Sequence, residues 1–347
     1  MKAEVEIYVL TGDRDLGEEE AFQNIQTNTW IQFDKNIQVK YLTPPFQNRD
    51  EIFKIIQEVG PDTLYLNSMY SKVFTLIPLT LLKKLPPSLN VVLCPRGMLK
   101  ASAVKFKYLK KKAFLIGLKW SGLSKKVKFH ATDEQEKKDI LKWFGNDSKI
   151  EVVSNIPKSG KYISINKDKG ILNLLFVGRI HPIKNLIFVF EVLMQVKANV
   201  NLDIIANLED ESYWSECQRY INDLPENIVV NFLGPQPHST IEKEIEKSHL
   251  FFLPTKGENF GHAIFESLAT GRPVLISDQT PWRGLEAKNA GWDLPLNDQK
   301  AFVSEIEKMA VMDQNSYDEM CKSAHKMAEN YVHSQNFVEQ YKGLFSA

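Results

Sequence analysis

Short apolar runs alternate with segments of helical period along most of the chain. In the first half, runs rich in β-branched and aromatic residues predict strands at 5–10, 37–42, 63–67, 91–94, 127–130 and 150–153. In the second half they predict strands at 173–177, 202–206, 228–233, 250–253 and 274–276. Between them, apolar residues recur every three or four positions, as in 50–59, 185–196 and 213–224. This alternation is typical of βαβ units with parallel sheets.

The pattern changes at two places. Residues 155–170 are polar and rich in lysine, which predicts a linker, and from residue 299 onward the period is helical only, ending in 336–345. We therefore predict an α/β protein of two Rossmann-like, doubly wound domains, 1–158 and 159–347, with C-terminal helices. Two such domains would face a central cleft, and clefts between domains are favoured ligand sites.

Composition excludes several classes of protein. With 347 residues, 25% charged and 43% hydrophobic, the chain fits two globular domains and is not disordered. No apolar run of about 18 residues could span a bilayer, and the first residues do not form a signal peptide. The three cysteines, Cys94, Cys217 and Cys321, lie far apart without metal spacing. We expect a reducing, cytoplasmic compartment.

Charge is unevenly distributed although the net charge is zero. Residues 1–160 contain 25 basic and 18 acidic residues, and the remainder contains 18 and 25. The basic excess is concentrated in residues 100–128, which contain ten lysines and no acid. Lysines and apolar residues alternate from Lys105 to Trp120, a pattern that suits an anionic membrane surface. A helix with one core face and one solvated lysine face explains it equally well. No nucleic-acid-binding motif is present, so nucleic acid is not an expected partner.

One segment concentrates candidate chemistry. Residues 255–266, Thr-Lys-Gly-Glu-Asn-Phe-Gly-His-Ala-Ile-Phe-Glu, follow the apolar run 250–253 and lead into a helical pattern. Such strand-loop-helix corners line ligand crevices at the carboxyl ends of strands, and the first amides of the helix bind anions. Glu258 and Glu266 could therefore face one polyhydroxylated ligand.

A second corner follows the strand predicted at 173–177. It contains Gly178, Arg179 and Lys184, with the guanidinium and the ammonium five residues apart. A planar guanidinium fork and a compact ammonium together suit a diphosphate. A solvated loop charge is the alternative for each residue.

Together, Val177-Gly178-Arg179 with Lys184 and the two glutamates eight residues apart resemble family four of the retaining, nucleotide-sugar-dependent glycosyltransferases. That family has the GT-B fold of two Rossmann-like domains. The resemblance covers the second half of the chain and includes Gly271-Arg272-Pro273-Val274. Segments 94–99 and 130–136 resemble those of a bacterial subgroup that builds surface polysaccharides.

The resemblance implies a role for each matching residue. Arg179 and Lys184 would bind the donor diphosphate and stabilise the leaving group, and Glu258 would contact the donor sugar. Glu266 would bind the ribose. The remaining donor-binding residues would be Gly178, Asn259, Phe260 and Gly261, with the amides around the last two contacting phosphate. No metal or other cofactor is expected, because cationic side chains can replace a divalent ion.

The first half departs from the family pattern in two respects. The chain begins at what looks like the family's second strand, so the N-terminal domain would lack a first strand and its Gly-rich loop. Where many relatives place a histidine near the sugar, this chain has Arg96-Gly97. Arg96 could meet an anionic acceptor, a donor phosphate or a domain-interface carboxylate.

We therefore expect a hexosyltransferase-type enzyme that moves a sugar from a nucleoside-diphosphate sugar to a saccharide or lipid-linked acceptor. The configuration at the anomeric carbon would be retained. It would be cytoplasmic and could lie on the inner membrane face through residues 100–128. One alternative is a sugar-nucleotide epimerase of the same fold, and another is a non-catalytic nucleotide-sugar-binding protein. His181, His262 and Trp282 could contact ligand or only pack, and His130 and Cys94 favour structural roles.

Overall fold

The computed structural model describes residues 5–15, 19–105, 108–158 and 160–346. The chain forms two compact units. The N-terminal unit comprises Met1–Asn155 and Asn336–Ala347, and the C-terminal unit comprises Ile156–Gln335. Lys107 of the basic segment and Ser159 of the predicted linker lie outside the described residues.

The N-terminal unit contains two sheets. The first has the order β1-β3-β2, with β1 Ile7–Gly12, β2 Trp30–Asp34 and β3 Ile37–Leu42. The second has the order β4-β5-β6-β7 and is parallel throughout, with β4 Thr63–Asn67, β5 Asn90–Cys94, β6 Lys128–Ala131 and β7 Ile150–Val152. The predicted strands are therefore present, with ends that differ by up to two residues.

Strand β2 is absent from the sequence prediction. It runs antiparallel to β3, and the two strands are joined by a tight turn at Lys35 and Asn36. A two-residue connection allows only antiparallel pairing, whereas a parallel pair needs a long crossover. The expected purely parallel sheet is thus replaced here by a hairpin added to a parallel pair, β1 and β3.

Two helices of the N-terminal unit, the first and the fifth below, begin with side-chain caps. The helices are α1 Arg49–Val59, α2 Ile77–Leu81, α3 Ala101–Lys105, α4 Tyr108–Trp120 and α5 Glu134–Phe144. The side chain of Asn48 accepts from the amides of Asp50 and Glu51, and that of Asp133 accepts from the amide of Glu136. These bonds satisfy amides that would otherwise lack a partner in the first helical turn. Within the described ranges, no helix has the length and apolar character needed to cross a membrane.

The C-terminal unit contains one sheet of parallel strands in the order β10-β9-β8-β11-β12-β13. The strands are β8 Ile171–Ile180, β9 Asn199–Leu208, β10 Ile228–Gly234, β11 Leu250–Leu253, β12 Val274–Ser277 and β13 Gly291–Leu294. This is the Rossmann order, in which the chain works outward from β8 and then returns to start again at β11. The two central strands therefore meet at the switch point of the topology.

Helices α6 Leu186–Leu193, α7 Glu211–Asn222, α8 His238–Lys247, α9 His262–Thr270, α10 Gln299–Val311 and α11 Gln314–Ser334 complete this unit. Strands β11 and β12 are buried at every position, as expected for strands covered on both faces. One continuous hydrophobic core joins the sheet to these helices and includes Phe176, Phe190, Phe252 and Phe302.

The last helix departs from the predicted domain division. Helix α12, Phe337–Phe345, belongs to the N-terminal unit, whereas we had assigned residues 159–347 to a single domain. Leu344 is fully buried in a cluster with Val92 and Val153. The hydroxyl of Tyr341 donates to the Ser154 carbonyl at 3.2 Å. Helical periodicity predicts that a helix forms but does not indicate which core receives its apolar face.

Candidate functional site

The two predicted corners meet at the switch point of the C-terminal sheet. Strand β8 ends at Ile180, so Gly178 and Arg179 belong to its carboxyl end. The shorter predicted strand, 173–177, placed both residues in the following loop. The loop after β11 contains Glu258 and leads into α9. Because β8 and β11 are hydrogen-bonded neighbours, their carboxyl ends bring both loops to the same edge of the sheet.

Direct hydrogen bonds connect these two loops. The Ile183 carbonyl accepts from the Lys256 amide at 2.7 Å and from the Thr255 hydroxyl at 3.0 Å. The side chain of Asn185 donates to the Pro254 carbonyl at 3.1 Å. Thr255 and Asn185 are buried. The backbone on either side of the charged residues is therefore held in one arrangement before any ligand binds.

Lys184 and Glu258 contact each other across this junction. The Lys184 ammonium donates to a carboxylate oxygen of Glu258, and the two side chains retain only 15% and 12% of their exposure. The stem of Lys184 lies beside Gly178, where an added Cβ would stand 3.5 Å from the Lys184 Cγ. The structure thus brings Glu258 to Gly178 and Lys184, although Glu258 lies 74 residues after Lys184 in the sequence.

Arg179 has a different partner. Its Nη1 contacts both carboxylate oxygens of Glu209, at 2.8 and 3.0 Å, and both side chains are about half exposed. Glu209 follows the carboxyl end of β9 and was not predicted as a site residue. The rule that side chains gather at the carboxyl edge of a parallel sheet would have identified it.

Glu266 lies on the first turns of α9, with its side chain 18% exposed. His238, the first residue of α8, faces it, with Nε2 at 3.2 Å from a Glu266 oxygen. The other ring nitrogen of His238 lies 3.4 Å from Glu242. A hydrogen bond from Lys158 lowers the pKa of Glu242. His238 follows the loop after β10 and was likewise missed.

The start of α9 is shaped by Phe260 and Gly261. Gly261 is the N-cap with φ of 78°, and an added Cβ would lie 2.8 Å from the Ile264 Cδ1. Only glycine adopts this conformation readily, and it offers no side chain to cap the first amides. Phe260 is buried, and its ring centroid lies 5.4 Å from that of Trp282. Asn259 lies between Glu258 and Phe260 and is half-buried.

Packing differs among the residues for which the sequence left alternatives open. Trp282 is 5% exposed and donates from Nε1 to the Phe260 carbonyl at 2.6 Å, so it supports the loop from inside. Arg272, within the predicted Gly-x-Pro-Val segment, is fully buried and donates to backbone carbonyls, including that of Ile163 at 2.8 Å. His181 accepts from the Ile183 amide at 3.2 Å, whereas His262 is exposed at the start of α9.

Comparison with known proteins relates this unit to one family. Residues 161–330 match the sequence model of the family "Glycosyl transferases group 1". The match lies within the C-terminal unit, Ile156–Gln335. The match contains the corners after β8 and β11, with Arg179, Lys184, Glu258 and Glu266. No curated protein sequence matches the chain significantly.

Solved structures extend the likeness to the whole fold. Sucrose-phosphate synthase from Thermosynechococcus elongatus is 14% identical, with a TM-score of 0.71 over 98% of this chain and 99% of that one. HepE from Anabaena, solved with UDP and glucose, is 14% identical, with a TM-score of 0.63 over 88% and 84%. TarM from S. aureus, solved with UDP and two saccharide ligands, is 16% identical, with a TM-score of 0.57 over 75% and 51%. The chain thus spans about half the length of TarM.

At these identities the solved structures establish the fold alone. The predicted fold class is confirmed, since the chain consists of two α/β units with parallel sheets and has the GT-B fold of glycosyltransferases. The group 1 domain supports sugar transfer as the class of reaction. Family four, retention of configuration and the roles of individual residues stay predictions.

Proposed function

We propose that this protein is a retaining glycosyltransferase of family four, of the bacterial surface-polysaccharide type. It moves a hexose from a nucleoside-diphosphate sugar to a saccharide or lipid-linked acceptor. The observation that carries the proposal is the contact between Lys184 and Glu258 at the switch point between β8 and β11, within the group 1 domain. A cation for phosphate and a carboxylate for sugar hydroxyls stand side by side where nucleotides bind in this topology.

The donor would be bound at its nucleotide diphosphate and at its sugar. Lys184 and Arg179 bind the diphosphate, and the amides near Phe260 and Gly261 at the start of α9 add partial positive charge. Glu266 accepts from the ribose hydroxyls, oriented by His238. Glu258 accepts from the hydroxyls of the sugar. Lys184 then exchanges part of its contact with Glu258 for a phosphate oxygen, which places sugar and diphosphate next to each other.

Transfer breaks the bond between the anomeric carbon and the diphosphate oxygen and forms one to the acceptor oxygen. Negative charge grows on the departing diphosphate, and Lys184 and Arg179 stabilise it. The acceptor proton passes to a departing phosphate oxygen, so that no side-chain base is required. We expect catalysis without a metal ion, because these cations perform its electrostatic role.

The test combines binding with turnover. A thermal-shift panel of nucleoside diphosphates and their sugars identifies the donor, because a ligand that binds only the folded state raises the melting temperature by mass action. The identified donor is then incubated with saccharide and lipid-linked acceptors, with and without EDTA. Two results support the proposal. Nucleotide is released only when acceptor is present, and the anomeric configuration of the product matches that of the donor. An altered sugar released without acceptor indicates an epimerase, and binding without turnover indicates a non-catalytic protein.

We further propose that helix α4 lies on an anionic membrane surface. The helix buries Leu115 and Leu118, but Leu109 is 79% exposed and Trp120 is 86% exposed. Together with Ile116, these residues are spaced seven and four apart, which places them on one helix face. Lysines surround this face in a segment without acids. Apolar insertion and attraction to anionic headgroups would therefore act together.

Sedimentation with vesicles tests this interaction. The protein should bind phosphatidylglycerol-containing vesicles in a salt-dependent way and phosphatidylcholine vesicles weakly. The change Trp120→Ala with Leu109→Ser should reduce binding at least tenfold. Phe33→Ser is the matched control, because Phe33 is an equally exposed apolar residue on β2. Equal binding by all three proteins would mean that α4 presents only a solvated lysine face.

A further inference from the structure

Arg96 is the second basic centre of the molecule, and it lies in the N-terminal unit. It follows the carboxyl end of β5, in a loop where its φ is 54° and that of Gly97 is 75°. A left-handed conformation is unfavourable for arginine and persists only where the surroundings impose it. The surrounding contacts therefore fix the position of this side chain.

Three neutral groups hold the guanidinium. Nε donates to the Asn67 side-chain oxygen at 2.7 Å, Nη2 donates to the Tyr65 hydroxyl at 3.1 Å, and Nη1 donates to the Asn155 side-chain oxygen. These partners come from β4, the residue at its end and the segment after β7. Asn67 and Asn155 lie at the carboxyl edge of the parallel sheet, and Tyr65 lies two residues before the end of β4. One N–H remains on each terminal nitrogen, the arrangement that meets phosphate or carboxylate at two points.

The side chains around these partners do not neutralise the positive charge of Arg96. The Tyr65 hydroxyl bonds to His130 Nδ1 at 2.8 Å, and His130 Nε2 bonds to the Val153 carbonyl at 2.7 Å. Burial lowers the pKa of His130 to about 4 and raises that of Cys94, so both are neutral near pH 7.

The nearby carboxylate of Glu136 is engaged elsewhere. It accepts from the Gly97 amide and from the amide and hydroxyl of Thr132 at 2.8 and 2.7 Å. Within the described parts of the chain, no carboxylate forms an ion pair with Arg96. A fixed cation at a ligand-binding edge is thus compensated by dipoles only.

The geometry points to Arg96 as the residue that binds an anionic group, phosphate or carboxylate, on the acceptor. The inference rests on the proposed transfer reaction and specifies its acceptor. The acceptor carries a phosphate or a uronic-acid carboxylate. Arg96 binds that group through its two remaining N–H donors and so selects anionic over neutral acceptors.

Arginine-labelled protein allows a direct test. In a ¹⁵N-labelled sample, the Arg96 Nε–H signal, identified by its loss in Arg96→Lys, is followed during titration with inorganic phosphate, methyl glucuronide and neutral methyl glucoside. We expect saturable shifts with one or both anions and none with the neutral glycoside. The phosphate and glucuronide arms distinguish the two anionic groups. Arg49, an exposed arginine of the same unit, is the control for nonspecific effects of ionic strength on arginine signals. Non-saturating shifts equal to those of Arg49 would overturn the proposal.

Asn155→Asp is the decisive variant because it keeps the hydrogen bond to Nη1 while placing a carboxylate beside the guanidinium. Binding of the probe anion should weaken at least tenfold, with an unchanged far-UV spectrum. Nucleoside diphosphate affinity, measured by calorimetry, should stay within twofold in this variant. A parallel loss of nucleotide affinity would mean that Arg96 binds the donor phosphate and would overturn the inference. Anion binding at Arg96 in a protein that binds no nucleotide would instead refute the proposed function alone.

Discussion

The basic centres of the two units differ in what compensates their charge. In the C-terminal unit, Lys184 contacts Glu258 and Arg179 contacts Glu209, so each cation already has a carboxylate partner. In the N-terminal unit, Arg96 is held by two amide oxygens and a hydroxyl. Under the proposed function, a donor diphosphate would compete with these carboxylates, whereas an anion at Arg96 would meet a charge that only dipoles compensate. The first arrangement favours exchange and release, and the second favours recognition of charge.

The largest effect should follow from removing the carboxylate beside Lys184. Glu258→Ala should reduce transfer roughly 10²- to 10³-fold, the usual loss for one hydrogen bond made in the transition state. Nucleoside diphosphate affinity should stay equal or rise, because Lys184 then has no competing partner. Steady-state kinetics and calorimetry on the same sample separate the two quantities. Equal losses of turnover and nucleotide affinity would contradict a role of Glu258 at the sugar.

Acid should weaken the N-terminal unit through His130. Its pKa falls from 6.5 to about 4 on folding, because it is buried. The folded state therefore binds this proton less well than the unfolded state. The stabilising contribution is complete above pH 6.5 and is lost as the pH falls toward 4. The loss is about 3 kcal/mol for this group alone.

Urea unfolding at several pH values measures this dependence. His130→Gln should flatten it while preserving the acceptor for Tyr65 and the donor for Val153. His249 of the C-terminal unit, whose pKa burial also lowers, contributes to the remaining slope. If the free energy of unfolding depends on pH equally in His130→Gln and in the original protein, groups other than His130 cause the whole dependence.

A smaller effect is expected at the exposed ion pair. Arg179→Ala should weaken nucleoside diphosphate binding by roughly 1.5–3 kcal/mol, the contribution of a hydrogen bond to a charged group. Glu209→Gln is the matched variant, because it removes the competing carboxylate and should strengthen binding a few-fold. The pair is exposed, so neither change should alter thermal stability appreciably. Unchanged nucleotide affinity in Arg179→Ala would remove Arg179 from the diphosphate site.

Sequence periodicity predicted the strand ladder well because buried parallel strands are short apolar runs bounded by polar loops. It missed β13, whose Gly291-Trp292-Asp293-Leu294 contains too few apolar residues to form such a run. It also missed β2, because an edge strand with exposed side chains has no buried face to mark it.

The sequence identified individual residues of the candidate site, but it did not predict which of them contact one another. The motif spacing placed Lys184 and Glu258 in neighbouring corners, yet their pairing depends on β8 and β11 being adjacent, which only the strand order determines. Glu209 and His238 follow the ends of β9 and β10, and the sequence there contains no recognisable motif. Arg96 was identified as a candidate, but its neutral partners come from β4 and from the segment after β7, which are distant in the sequence.

Helix α12 has a consequence for biosynthesis. Its last turn accepts from Thr63 and packs against β5, so the N-terminal unit is completed by residues that are synthesised after the whole C-terminal unit. The C-terminal unit, continuous from Ile156 to Gln335, is fully synthesised before then. The order of completion along the chain is therefore inverted, and a nascent chain holds a finished C-terminal unit while the N-terminal unit still lacks part of its core. Cutting the gene once between the two units would leave α12 on the wrong fragment.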